Sequence, residues 1–155
     1  MPAPSTLSLY RQFEKWPGGR QLFSRLLCLK APYFRTISPR VEVLEPGRSV
    51  WHMRKRRGVQ NHIGTVHALA MGNLCEMAAG TLMEASLPAH KRWIPKGMNI
   101  EYLAKAESDL SAEAILENAE DALGDVPVEV TVRDREGKEV VKATINMYVS
   151  ERKKG

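Results

Sequence analysis

Residues 65–86, TVHALAMGNLCEMAAGTLMEAS, are the one long apolar stretch of this chain with helical periodicity. Val66, Ala70, Leu74, Ala78, Leu82 and Ala85 recur at helical spacing, while Met71, Met77 and Met83 add apolar bulk on other faces. At about 1.5 Å of rise per residue such a helix spans roughly 33 Å. A helix that is apolar on more than one side is buried on more than one side. The rest of the chain therefore has to wrap it.

The flanking sequence supplies the wrapping. From Pro39 the period shortens: Val41 and Val43 alternate with Glu42, Pro46-Gly47 marks a turn, and Val50 to Arg56 reads as a second strand. After the helix come four strand-like segments. They cover about 97–106 with Met98, Ile100 and Tyr102, 111–118 with Ala112, Ala114 and Leu116, then 126–133 and 139–150. In the last two, Val128, Val130 and Val132, and Val141, Ala143, Ile145, Met147 and Val149, alternate with polar residues, and Asp134 to Gly137 supply a turn. Consecutive strands joined by short turns pair antiparallel. The expected class is α+β, an antiparallel sheet curled around one central helix.

Ahead of this lie two helical pieces split by Pro17, Gly18 and Gly19. Leu22, Phe23, Leu26 and Leu27 stripe the second piece, and Pro32 closes the region. A chain of 155 residues suits one domain. The expected organisation is an N-terminal helical extension at 1–36, the sheet-and-helix domain at 37–150 and a basic tail at 151–155.

Lysine and arginine outnumber the acids by 23 to 18, a net charge of +5. The surplus concentrates in Arg54, Lys55, Arg56 and Arg57 and in Arg152, Lys153 and Lys154. It reads either as solvated charge or as a site for a phosphate-rich ligand. No nucleic-acid motif or interleaved aromatic stripe accompanies it, so nucleic acid is not an expected partner. Cys28 and Cys75 sit in apolar helical surroundings and read as small buried hydrophobes in a reducing compartment. The start MPAPSTLSLYRQFE lacks a basic segment followed by an apolar core, and no apolar run approaches bilayer length. The expected location is cytoplasmic, away from membranes. His52, His62, His67 and His90 match no zinc spacing. Cys75 lies mid-helix and there is no Gly-x-Ser-x-Gly elbow, so neither a metal site nor a serine or cysteine nucleophile is expected.

The chemistry concentrates just before the long helix, in Asn61-His62-Ile63-Gly64-Thr65-Val66-His67. Thr65 is the expected helix cap. The remaining first-turn amides lack intrahelical partners and, with the positive end of the helix dipole, suit a carbonyl oxygen gaining negative charge. Gly64 permits a sharp turn, and Asn61 offers a side-chain amide donor. Glu76 lies nine residues beyond His67 among Leu74, Cys75, Met77 and Ala78. A carboxylate there is costly without partners or water, a setting that suits a general base. The alternative is that Asn73, Glu76, Gly80 and Glu84, spaced three and four apart, form a solvent face. Nine residues are about two and a half turns and roughly 13.5 Å of rise, so His67 and Glu76 leave the helix on opposite faces. A site that uses both needs two subunits, and a symmetric dimer then holds two equivalent sites.

The pattern Asn-x-x-Gly-x-x-His with an acid nine residues later, at Asn61, Gly64, His67 and Glu76, resembles the active-site motif of hotdog-fold thioesterases related to the bacterial phenylacetate-pathway enzyme. The order of hairpin, long helix and four strands is that of a hotdog subunit, so the resemblance covers about residues 37–150. The chain also resembles an uncharacterised branch of that superfamily with extra N-terminal helical residues. The resemblance implies an acyl-CoA thioesterase that works as a homodimer or a dimer of dimers. Coenzyme A is then part of the substrate and no resident cofactor is needed. By the same resemblance Asn61 orients the carbonyl or the nucleophile, the Ala68 amide is an oxyanion donor, His67 positions the loop, and Glu76 from the partner subunit is base or nucleophile. Aspartate is the more usual acid, and glutamate adds one methylene of reach.

The family usually follows its histidine with two glycines, where this chain has Ala68 and Leu69. The amides survive but the side chains narrow the approach. A non-catalytic protein that binds acyl chains or acyl-CoA in the same groove is the alternative. Candidate coenzyme A contacts are Arg54, Arg56 and Arg57, and Lys91 and Arg92. Trp93, Met98 and Tyr102 read as acyl-pocket lining or as ordinary core. The separation of His62 from Glu76 is similar to that of hotdog dehydratases acting on hydroxyacyl thioesters, but the proline- and glycine-rich stretch between those residues is absent.

Overall fold

The computed structural model describes residues 5–153. Two helices, α1 (Thr6–Phe13) and α2 (Gly19–Lys30), are followed by a 3-10 segment at Pro32–Ile37. Strands β1 (Arg40–Glu45) and β2 (Arg48–Met53) precede the long helix α3 (Ala68–Ser86), and β3 (Lys91–Tyr102), β4 (Leu110–Ile115), β5 (Gly124–Arg133) and β6 (Glu139–Glu151) follow it. The strands make one sheet in the order β1-β2-β4-β5-β6-β3, with every neighbouring pair antiparallel. The architecture is the expected α+β hotdog fold.

The periodicities that suggested these elements also build the core. Val126, Val128, Val130 and Val132 of β5 and Val141, Ala143, Ile145, Met147 and Val149 of β6 are buried on one face. They pack with Leu74, Cys75, Met77, Ala78, Leu82 and Met83 of α3 in one cluster. A buried polar contact fixes the helix to the sheet. Thr81 Oγ1 accepts from Trp51 Nε1 at 2.8 Å, lies 3.0 Å from Ser49 Oγ, and donates to the Met77 carbonyl at 2.8 Å. Trp51 and Ser49 are both fully buried on β2.

Element boundaries moved in instructive ways. The second strand begins at Arg48 and stops at Met53, so Arg54, Lys55 and Arg56 lie beyond it. There the Lys55 amide donates to Asp109 Oδ1 at 2.8 Å instead of to a neighbouring strand. The third strand starts at Lys91, earlier than expected, and ends at Tyr102. Its charged start and Pro95 hide it in the sequence. As an edge strand it tolerates proline, and a register shift between Pro95 and Gly97 absorbs the irregularity.

The break at Pro17–Gly19 separates α1 from α2 as expected. Ser24 Oγ on α2 accepts from the Val41 amide at 2.9 Å, so α2 covers the outer edge of β1. The ring edge of Tyr10 against Phe23, at 5.3 Å between centroids, joins α1 to α2. At the other end of the sheet β3 pairs only with β6. Ile94, Met98 and Tyr102 along it are 62%, 40% and 46% exposed. A long unpaired edge that exposes such apolar side chains is open to further pairing. Of the expected basic tail, Glu151 belongs to β6, the Arg152 amide donates to the His90 carbonyl at 2.7 Å, and Lys154 and Gly155 lie outside the described residues. So do the first four residues of the expected N-terminal extension.

Candidate active site

The loop before α3 is organised by Asn61. Its Oδ1 accepts from the Ile63 and Thr65 amides, both at 3.1 Å, and its Nδ2 donates to Thr65 Oγ1 at 2.8 Å. Gly64 completes the turn at φ +79°, a left-handed conformation that side chains disfavour. The loop is tied at its far end as well, because the Val66 amide donates to the Ala106 carbonyl and the His67 amide to the Val59 carbonyl, each at 2.8 Å. In this subunit Asn61 therefore templates the loop, with one Nδ2 hydrogen left over.

The helix begins at Ala68, and its cap is His67. This corrects the expectation that Thr65 caps it: Thr65 is buried and its hydroxyl is taken by Asn61. His67 is extended at ψ 140°, and its Nδ1 accepts from the Leu69 amide at 3.0 Å. An accepting Nδ1 puts the proton of the neutral ring on Nε2. The Met71 amide is satisfied by the His67 carbonyl at 3.1 Å. The Ala68 and Ala70 amides have no protein acceptor among the described residues. Tyr102, the last residue of β3, donates its hydroxyl to the Ala68 carbonyl at 3.1 Å and steadies this first turn from above.

A small cavity of about 190 Å³ opens beside this turn, lined by His67, Leu69, Ala70 and Asn73 together with Tyr33, Thr36 and Ile37 of the 3-10 segment. The N-terminal extension thus forms one wall of the space at the helix start. Asn73, 6% exposed, donates Nδ2 to Thr36 Oγ1 at 3.1 Å. The Thr36 hydroxyl is itself committed to the Tyr33 carbonyl at 2.8 Å, which fixes the amide orientation. Asn73 Oδ1 is left buried without a partner. Sequence reading placed Asn73 in a polar stripe and missed this. The only signal was an asparagine within a strongly apolar helix.

Glu76 lies in the row Gly72, Glu76, Gly80, Glu84, which runs beneath β3. A β-carbon at Gly72 would sit 4.0 Å from Ile100, and one at Gly80 only 3.1 Å from the Trp93 ring. Glu84 Oε1 accepts from Trp93 Nε1 at 2.8 Å. The glycine at 80 lets Trp93 settle onto the helix. Glu76 is half-buried between these contacts and has no hydrogen-bond or ion-pair partner among the described residues. The stripe is therefore no solvent face, because Asn73 and Gly80 are both buried. Glu76 does not line the cavity that contains His67.

The basic candidates fall into two groups. Arg56 Nη2 donates to the Thr36 carbonyl at 2.6 Å and to Ser38 Oγ, bracing the 3-10 segment, whereas Arg54 and Arg57 have no side-chain partner among the described residues. Lys91 Nζ donates to the Ala122 carbonyl at 2.9 Å and also to that of Glu120, and Arg92 Nε to Ser150 Oγ at 3.1 Å. Lys91 and Arg92 open β3 while Tyr102 ends it at the helix start. At about 3.3 Å per residue these ends are roughly 36 Å apart. Trp93 is half-buried against Gly80, and Met98 and Tyr102 are exposed, so the three do not enclose a pocket within one subunit. Cys75 is fully buried, and burial pushes its thiol up to about 12, which makes it inert. No group of three histidine, cysteine or acidic side chains stands ready to hold a metal among the described residues.

Solved structures place this geometry in a wider set. The structural-genomics protein APC5556 is 41% identical with a TM-score of 0.85, over 95% of this chain and 99% of that one. The Pseudomonas aeruginosa protein PA5026, of unknown function and described as a probable thioesterase, is 26% identical with a TM-score of 0.77, over 88% and 97%. A hypothetical thioesterase from Streptococcus pneumoniae, solved with coenzyme A, is 19% identical with a TM-score of 0.64, over 75% and 91%, and shares the fold. No curated protein matches the chain. A family model matches residues 19–149, from the first residue of α2 to Val149 near the end of β6. With its helix-in-sheet architecture and this match, the chain belongs to the family described as a domain of unknown function (DUF4442), within the hotdog-fold thioesterase superfamily.

Proposed function

We propose that the protein hydrolyses acyl thioesters, with acyl-CoA as substrate, at a site assembled from two subunits. The observation that carries this reading is the pairing of two unsatisfied features on one helix. At its start stand the Ala68 and Ala70 amides, without acceptors among the described residues. Under the uncovered edge strand β3 stands Glu76, half-buried and, among the same residues, without a partner. Each is half of a reaction centre, and the faces on which they lie cannot serve the same thioester carbonyl in one subunit. Pairing of two β3 edges in a homodimer would cover Ile94, Met98 and Tyr102 and bring one subunit's loop toward the other's carboxylate. A dimer of dimers is compatible with the same contact.

In this mechanism the thioester oxygen rests against the Ala68 amide at the positive end of α3, where negative charge develops during attack. Gly64 and Asn61 hold the loop in shape, the free Nδ2 hydrogen of Asn61 adds a donor, and His67 fixes the first turn. Glu76 of the partner subunit takes a proton from water as the water oxygen bonds to the carbonyl carbon. Collapse of the tetrahedral intermediate breaks the carbon–sulfur bond, and the proton held by Glu76 passes to the departing sulfur, releasing the carboxylic acid and the thiol and restoring the carboxylate. The coenzyme A in the Streptococcus pneumoniae structure and the probable thioesterase assignment of the Pseudomonas aeruginosa protein support the substrate class. Arg57, which has no side-chain partner among the described residues, is its preferred phosphate contact, ahead of Arg56, Lys91 and Arg92, which are already engaged, and of Arg54, which lines the space between α2 and β1 instead. Two buried free cysteines fit a reducing, cytoplasmic setting.

Leu69 favours one second reading. It is 72% exposed at the mouth of the small cavity, where the related enzymes place glycine, and it narrows the approach enough to suit a protein that holds acyl-CoA without turnover. A thiol-release assay over short, long and aromatic acyl-CoAs separates the two. Hydrolysis that disappears in Glu76→Ala and Asn61→Ala is the expected result. Binding without thiol release favours the passive carrier, and activity unchanged in both variants removes these residues from the mechanism. Coexpressed Asn61→Ala and Glu76→Ala chains should regain part of the activity, and proven heterodimers that stay inactive would argue for a site within one chain.

A further inference from the structure

A second cavity, of about 680 Å³ against about 190 Å³ for the space beside His67, shares no lining residue with it. It is bounded by α2, the 3-10 segment, the start of β1 and the end of β2. Four arginines line it, each from a different segment: Arg25 on α2, Arg35 on the 3-10 segment, Arg40 opening β1, and Arg54 just past β2. Among the described residues, every carboxylate lies farther than 4.0 Å from all four guanidinium groups, and none of the four donates a side-chain hydrogen bond. The walls between them are mixed: Cys28, Leu29, Pro39 and the arginine stems supply apolar surface, and Gln21, Ser24, Ser38 and His52 supply polar atoms.

We propose that this cavity is a binding site for a phosphorylated small molecule whose phosphoryl groups are gripped by Arg25, Arg35, Arg40 and Arg54 and whose apolar part rests on Leu29 and Pro39. Four guanidinium forks carry far more donors than the two oxygens of one carboxylate accept, whereas two phosphoryl groups match them bidentately. The volume falls in the range of small-molecule pockets, about 300–1,000 Å³. Like charges gathered at one opening repel, and an anionic ligand removes that cost. The cavity also contains His52, whose imidazole is held below its ordinary value first by burial. Arg40 and Arg54 push it the same way, against Glu42 on β1 and Asp109 before β4. Asp109 does not neutralise the arginines, since it is bound by the Lys55 amide and by Arg135. None of Asn61, His67, Ala68 and Glu76 lines this cavity, so the site stands whether or not the thioester reading holds.

The phosphoryl groups have two sources, a soluble nucleotide, including the nucleotide end of coenzyme A, or a phospholipid headgroup, and the test separates them. Calorimetry on the full chain uses adenosine 3′,5′-bisphosphate, inorganic pyrophosphate and laurate, and cosedimentation uses phosphatidylglycerol against phosphatidylcholine vesicles. Binding of the bisphosphate or pyrophosphate, weakened roughly tenfold or more in Arg40→Gln/Arg54→Gln and in Arg25→Gln/Arg35→Gln but kept in Asn61→Ala, supports the site with a soluble ligand. Binding of phosphatidylglycerol vesicles alone, lost in the same variants, supports it with a lipid headgroup. All four arginines are exposed, so the variants should fold, which circular dichroism checks. Laurate binding as tightly as every phosphorylated probe overturns the proposal. So does binding of none of them, or binding that survives both double variants.

Discussion

Replacing Thr81 by Val tests how α3 is held against the sheet, and with it the placement of the amides at the helix start. Threonine and valine are nearly isosteric, both β-branched, and similar in helix propensity, so the exchange removes one hydroxyl and little else. That hydroxyl accepts from Trp51 Nε1 at 2.8 Å and lies 3.0 Å from Ser49 Oγ, and both residues are fully buried. Its loss leaves two buried polar groups without their partner, each costing about 1–3 kcal/mol. The added methyl returns roughly 0.8 kcal/mol of apolar burial. The net destabilisation should be about 2–4 kcal/mol, which in a chain of this size lowers Tm by roughly 5–15 °C. Urea unfolding should show a lower midpoint with an unchanged slope. Trp51→Phe removes the same bond from the other side, so the double variant should lose at least about 1 kcal/mol less than the sum of the singles. A loss below about 0.5 kcal/mol, or strict additivity, would refute the idea that this network anchors the helix.

Gly64→Ala meets no atom within 4 Å, so its effect isolates the left-handed backbone. A stability loss of about 1–2 kcal/mol is expected, with faster amide exchange at Ile63 and Thr65, and normal exchange there would show that the loop does not need the glycine. Glu113 bridges Arg48 on β2 at 2.7 Å and Arg133 on β5 at 3.3 Å. The hydrogen bond from Arg48 is the first reason its carboxyl is held below the ordinary carboxylate range. A depressed carboxyl stabilises the fold fully above its unfolded value and loses that contribution as pH falls through the folded one. Because both arginines are substantially exposed, Glu113→Gln should cost only about 0.5–1 kcal/mol near neutral pH. Urea midpoints for parent and variant should differ by a constant amount above the unfolded carboxylate value and converge as pH falls through the depressed folded one. A gap that persists in acid would mean the carboxylate charge is not what Glu113 contributes.

Much of this architecture is legible along the chain. The period of the apolar residues marks a buried helix between a hairpin and four strands, because helix and strand repeat every 3.6 and 2 residues whatever their surroundings. Helix geometry alone also puts His67 and Glu76 on opposite faces. The boundaries of β2 and β3 were less legible, since pairing partners decide where a strand stops, and a charged, proline-containing edge strand carries no clear alternation of its own. Capping is decided in space as well: Thr65 has the chemistry of a cap, but Asn61 takes its hydroxyl and His67 serves in its place.

The sequence by itself therefore determined the class of fold, the order of its elements and the residues around which a reaction centre is proposed, because those depend on local period and on spacing along one helix. Only the tertiary structure decided that the 3-10 segment walls the space at the helix start, that Asn73 keeps a buried, unpartnered oxygen there, and that four arginines far apart in sequence meet around one cavity. Those arrangements depend on which segments pack side by side, a relation between distant residues that no local pattern encodes.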